Sequence, residues 1–203
     1  MPEVIQTTVY TLDELDSQAR ARARDWYRQA SNDDDWHEVV FEDFERVCDI
    51  LGVELATRTV RLFGGGTRQK PCIWFSGFSS QGDGASFEGV YRYKKGAARG
   101  IRAYAPRDER LAAIADQLQR IQRKNLYALE AQITHRGRYY PEYGMDILVE
   151  RAGERYQPPT SGAEDIITEA LRDLARWLYR QLEREYEYQT SDEVVDESIE
   201  ANG

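Results

Sequence analysis

Sulfur and imidazole are scarce in this 203-residue chain, which has two cysteines, Cys48 and Cys72, and two histidines, His37 and His135. Two lone thiols cannot make the disulfide framework of a small secreted domain. Cys48 falls in a helical pattern and Cys72 at a strand start, so both read as reduced and packed. His37 follows Asp33–Asp35, but no His-x-x-x-His or Cys-x-x-Cys pair is present, so neither a metal site nor a cofactor is expected. Also missing are the Gly-x-Ser-x-Gly of a nucleophile elbow and, after Gly64-Gly-Gly-Thr67 and Lys70, the spacing of a phosphate loop. No apolar run approaches the roughly 20 residues of a bilayer span. Met1-Pro2-Glu3 has neither a basic start nor an apolar stretch. The expectation is a cytoplasmic protein with no membrane association.

Charge, by contrast, is abundant and segregated. Asp and Glu total 36 against 27 Lys and Arg, a formal charge of -9. Residues 32–50 hold eight acids and one base, a net of -7, and residues 183–203 repeat that balance. Residues 90–124 invert it, with ten bases and three acids, a net of +7. A strongly acidic molecule repels nucleic acid and anionic lipid except at a local basic patch, and its natural complement is a basic surface. The competing interpretation is internal pairing, with acidic and basic helices neutralising one another.

Hydrophobic spacing predicts the elements. Residues 4–10 read as a strand. Thr11-Leu-Asp-Glu14 fits a capping box before a helix to about Ala30, with Leu15, Ala19, Ala23 and Trp26 as its inner stripe. A second helix over 35–51 buries Val40, Phe44, Val47 and Leu51 and stops at Gly52. Strands follow over 53–63, 72–78 and 86–93. Gly64–Gly66 breaks the first, and Ser79–Gly84 turns between the other two. Ala105-Pro106 opens a helix carrying Leu111, Ile114, Leu118 and Ile121. Strands over 126–135 and 144–151 flank a turn near Pro141. A loop at 155–162 leads to a long helix from Ala163, with Ile167, Leu171, Leu174, Leu178 and Leu182 at helical spacing. Thr190-Ser-Asp-Glu193 caps a short acidic final helix. The predicted architecture is α+β: a largely antiparallel sheet of five to six strands with four to five helices packed against it. Residues 1–188 are expected to form one domain, with 189–203 an acidic helical tail.

The acidic candidates for partner contact are Asp33, Asp34, Asp35, Glu38, Glu42, Asp43, Asp83 and Glu88. Asp83 sits between Gly82 and Gly84, which allow positive φ, at the tip of an aromatic-flanked hairpin. The basic candidates for nucleic-acid contact are Arg92, Lys94, Lys95, Arg136, Arg138 and Tyr139. In His135-Arg-Gly-Arg-Tyr-Tyr140 bases interleave with aromatics, as in single-strand binders. Asp83, Glu88 and His135 are the only set on which a catalytic site would be drawn. Sequence does not supply the separation that paired carboxylates require, and no enzymatic activity is expected.

Five segments carry a family likeness: Val9-Tyr-Thr-Leu-Asp-Glu-Leu15, Ala23-Arg-Asp-Trp-Tyr-Arg28, Phe75-Ser-Gly-Phe-Ser-Ser-Gln-Gly-Asp-Gly84, Tyr91-Arg-Tyr-Lys-Lys-Gly96, and Trp177-Leu-Tyr-Arg-Gln-Leu-Glu-Arg-Glu-Tyr-Glu-Tyr188. Through them the chain resembles a group of phage and prophage proteins labelled antitoxin of toxin–antitoxin stability system. The resemblance implies a mobile-element origin and a role in neutralising a toxin or a host defence, as anti-CRISPR proteins do, within the host cytoplasm. The first expectation is a binding protein for a basic host protein or nucleoprotein complex. The second is an accessory protein that contacts RNA or single-stranded DNA.

Overall fold

The computed structural model describes residues 8–30, 35–153 and 158–202. Among them are six α-helices and eight strands, a mixed α+β chain. The strands are β1 (Val53–Leu55), β2 (Thr57–Arg61), β3 (Thr67–Pro71), β4 (Ile73–Phe75), β5 (Ala85–Phe87), β6 (Gly89–Arg92), β7 (Leu129–His135) and β8 (Met145–Arg151). The helices are α1 (Ser17–Ala30), α2 (Glu38–Leu51), α3 (Ala97–Tyr104), α4 (Glu109–Lys124), α5 (Ala163–Gln189) and α6 (Asp192–Asn202). The chain divides into two compact units, residues 39–183 and residues 1–38 with 184–203.

In the larger unit β1-β6-β7-β8 form one antiparallel sheet, while β2–β3 and β4–β5 pair separately. Among the described residues the expected sheet of five to six strands is four strands, and the helices number six. The physical reason lies at one level of the backbone. Ala56 N–H donates to Glu88 O (2.8 Å), Glu88 N–H to Cys72 O (2.9 Å) and Cys72 N–H to Ala56 O (2.7 Å). This closed ring of three hydrogen bonds marks where three extended stretches exchange partners. Before Ala56 the first stretch pairs with β6; after it, with β3. The third pairs with β4 before Glu88 and with β1 and β7 after it. Gly89 follows this ring, and a Cβ there would lie 2.2 Å from Glu54 O, so only glycine allows the approach.

The four-stranded sheet buries one face. Leu129, Ala131 and Ile133 of β7 and Tyr91 of β6 point into the core, whereas Arg92 and Gln132 do not, as period-two alternation requires. Also buried in this unit are Phe44, Val47 and Leu51 of α2, Leu111, Ile114, Leu118 and Ile121 of α4, and Ile167, Leu171, Leu174 and Leu178 of α5. All three helical stripes match the predicted periodicity. The α4 start does not. Residues 97–104 form α3, and α4 begins after Asp108, whose carboxylate caps Leu111 N–H (2.8 Å) and also accepts from Trp177 Nε1 (2.6 Å). An Asp N-cap thus sets this boundary in place of Pro106 at N1.

Two buried amides lock α4 to its surroundings. Gln122 donates to Leu129 O (2.7 Å) and accepts from Leu129 N–H (3.2 Å). Asn125 donates to Ile121 O and Thr160 Oγ1 and accepts from Thr160 N–H. Both side chains are fully buried, and these bonds give each of their polar atoms a partner.

The smaller unit contains α1, α6 and the last residues of α5. Residues 8–10 are not a strand, and residues 4–7 of that prediction lie outside the described part. Glu14 accepts from Thr11 N–H (2.9 Å), but this box caps only the 3-10 turn Leu12–Glu14. Asp16 caps α1, accepting from Ala19 N–H (2.7 Å). The predicted apolar stripe of α1 is overturned: none of its residues is buried, and Trp26 is 70% exposed. The inner side is instead an arginine ladder at four-residue spacing. Arg20 reaches Asp13 (3.3 Å), Arg24 grips Asp196 through two nitrogens (2.6 Å each) and Asp192 (2.5 Å), and Arg28 reaches Asp192 (2.5 Å) and Thr190 O (2.9 Å).

Candidate macromolecular interface

The acidic candidates separate into engaged and available groups. Asp33 and Asp34 lie outside the described residues. Asp83 holds its own loop together, its carboxylate accepting from Ser79 N–H (3.0 Å) and Ser80 N–H (2.6 Å). That loop rests on Tyr179, whose hydroxyl donates to Gly77 O (2.8 Å) and whose ring meets Phe78. Burial, with the charges of Asp83 and Glu183, holds the Tyr179 hydroxyl above its ordinary pKa. Glu88 accepts from His135 N–H (3.0 Å), tying β5–β6 to the end of β7. Asp43 accepts from the Tyr104 hydroxyl, a bond that raises the Tyr104 pKa.

What remains is a stripe. Glu42, Glu45 and Asp49 recur at i, i+3 and i+7 along α2 and span about 10 Å at the helical rise, while Glu38 at the start of the helix is half-buried and has contacts of its own. Glu42, Glu45 and Asp49 are exposed, as is Asp35 before the helix. Burial first, and then the charge of Glu42, push the Glu45 carboxyl up, against an opposing effect of Arg68. Lys94 holds the Asp49 carboxyl down by a hydrogen bond of 2.8 Å. In α6, Asp192 and Asp196 serve the arginine ladder, while Glu193, Glu197 and Glu200 are exposed at helical spacing.

The basic candidates are partly neutralised. Arg92 lies between Glu54 (3.3 Å) and Glu130 (3.2 Å), Lys94 on Asp49, and Arg136 on Asp146 (3.1 Å). Arg102 pairs with Asp116 within the same basic segment. Lys95 and Arg138 are exposed and enter no ion pair among the described residues, and Tyr139 is 67% exposed. An open groove of about 630 Å³ beside β1 and β6 is lined by Glu45, Asp49 and Glu54 as well as Arg92 and Lys94. That mixture does not suit a polyanion.

Sequence reasoning missed an aromatic cluster at the exchange point. Trp74 of β4 lies parallel to Tyr140 (centroids 6.2 Å, 6° between planes), and His135 packs against both at 6.0 and 5.3 Å. The Arg58 guanidinium covers the Trp74 ring at 5.8 Å. Glu88 and His135 do come together, but through the His135 backbone amide. The imidazole Nε2 is at 2.8 Å from Tyr139 O. Among the described residues no group of three or more His, Cys, Asp or Glu side chains is placed to hold a metal ion. No helix among them is long and apolar enough to cross a membrane. Also missed was the β2–β3 ribbon. Its signal was legible, since residues 56–82 contain four bases and no acid.

These charged, hydrogen-bonded surfaces lie on a mixed α+β scaffold. Residues 36–192 match the model of the family described as Domain of unknown function (DUF8835), and the chain belongs to that family. No curated protein and no solved structure matches it.

Proposed function

We propose that this is a non-enzymatic, phage- or prophage-encoded binding protein that neutralises a toxin or host-defence protein by presenting acidic surface to a basic one. The observation that carries the reading is the α2 stripe. Its carboxylates are exposed, crowded by their own kind at Glu45, and only partly compensated by Lys94 and Arg68. A basic partner would relieve that crowding, and charge complementarity of this sort mainly speeds encounter and excludes wrong partners. The exposed glutamates of α6 supply a second acidic surface.

The test is co-purification from expressing cells with the native chain and an E42Q/E45Q variant. A basic protein should be recovered with the native chain at low salt. It should be released by roughly 0.5 M salt, where surface charges are screened beyond a few ångströms, and be depleted in the variant. Equal recovery by the variant, or an acidic partner, overturns the reading.

A further inference from the structure

The β2–β3 hairpin is the one strand pair among the described residues with both faces nearly open to solvent. Thr57–Arg61 and Thr67–Pro71 pair in register around Gly64–Gly66, and every residue from Arg61 to Gln69 is exposed. Each strand is five residues long, about 17 Å. An isolated two-stranded hairpin is marginal in water, and here the three-bond ring at Ala56, Cys72 and Glu88 anchors its base. Its composition is selective. Arg58, Arg61 and Arg68 lie on a stretch without a single acid, in a chain of charge -9. Arg61 and Arg68 enter no ion pair among the described residues. At the tip Phe63 is fully exposed and Leu62 is half-exposed. Arg58 and Lys70 are register partners, as are Val60 and Arg68, while Thr59, Arg61, Thr67 and Gln69 occupy the opposite face.

We propose that this ribbon binds single-stranded nucleic acid that passes around its tip, so that Arg61 on one face and Arg58 and Arg68 on the other each meet a phosphate and Phe63 stacks on an unpaired base. The guanidinium fork suits phosphate. Cations beside an aromatic ring are the combination that single-strand binders use. A phenyl ring on a glycine turn can stack on a base that is already unpaired, whereas a duplex would first have to open. The ribbon shares no residue with the α2 stripe, and the charge of Glu45 near Arg68 keeps the affinity modest.

The test is fluorescence anisotropy with purified full-length chain and labelled 20-nucleotide single strands of DNA and RNA, the matching duplex, and polyglutamate as competitor. Three phosphate contacts predict a slope of about -2 in log affinity against log salt, so binding should weaken about 16-fold between 50 and 200 mM. Phe63→Ala should weaken it at least about 5-fold, the lower end of base–aromatic stacking. R61A/R68A should flatten the salt slope toward that of one contact. All three positions are exposed, and unchanged circular dichroism would exclude misfolding as the cause. No single-strand binding at about 10 μM protein and 50 mM salt overturns the proposal. So do tighter binding to duplex, competition by polyglutamate at equal charge, or binding that ignores both variants. Because only purified chain and oligonucleotide are used, the outcome is independent of the co-purification above.

Discussion

Replacing Gln122 by Glu tests whether the buried amide acts as a surrogate strand partner for β7. Gln122 is fully buried, donating 2.7 Å to Leu129 O and accepting 3.2 Å from Leu129 N–H. Glutamate keeps the shape but, when ionised, offers an oxygen where Leu129 O requires a donor. Folding therefore demands the protonated form, which can still donate. The introduced carboxyl has its pKa raised in the folded state. Its stability contribution is fully present below the unfolded value of about 4.3 and is lost as pH rises toward the folded value. At 1.36 kcal/mol per pH unit, protonation costs about 3.7 kcal/mol at pH 7. The assay is urea unfolding followed by tryptophan fluorescence between pH 5.5 and 7.5. Relative to wild type, Gln122→Glu should lose about 2.7 kcal/mol across that range. Gln122→Met, which removes both hydrogen bonds to Leu129 without adding a charge, should show a constant deficit of about 1–3 kcal/mol. A Glu variant whose deficit does not change with pH, or is below about 1 kcal/mol at pH 7, refutes the reasoning.

Three further outcomes follow from the same structure. Burial pushes the Tyr91 hydroxyl up to about 12, partly offset by its bond to Gln122. Its contribution is thus present below pH 10 and lost between pH 10 and 12. Tyr91→Phe should abolish up to about 2.7 kcal/mol of alkaline destabilisation in denaturant titrations at those two pH values. Cys48 and Cys72 are buried and burial raises both thiol pKa values, so a thiol reagent should label neither until denaturant is added. Rapid labelling of the native chain would contradict the packing. Asp83→Ala leaves two loop amides without their acceptor. Hydrogen exchange at Ser79 and Ser80 should accelerate, with a stability loss of about 1–2 kcal/mol and no change in partner recovery.

Legibility tracked the range of the forces involved. The stripes of α2, α4 and α5 were readable because a helix buries side chains at a local period. The β4–β5 and β7–β8 pairings were readable because turn chemistry lies between their strands. The α1 stripe was misread because alanines at helical spacing resemble a core face, when the arginines four apart were the contacting side. Its partners, Asp192 and Asp196, lie far along the chain. The start of α4 was misplaced because Pro106 at N1 and Asp108 at the N-cap are both good local signals, and the hydrogen bond from Trp177 sides with Asp108. Glu88 and His135 were singled out together and do meet, but as a backbone tie between strands.

Composition and spacing alone determined the class of fold, the apolar faces of the long helices, the scarcity of metal-binding side chains and the blocks of opposite charge. These depend on neighbours within one or two turns. Tertiary structure decided which charges stand free. It spent Asp83, Asp192, Asp196, Arg92 and the Lys94–Asp49 pair on internal contacts, and left Glu42 and Glu45 of α2 and Arg61 and Arg68 of the β2–β3 ribbon exposed. It also decided that one expected sheet becomes three, because the partner exchange at Ala56, Cys72 and Glu88 joins residues that no local period relates. Charge pairing and strand exchange are long-range in sequence and short-range in space, so they emerge only once the chain has folded.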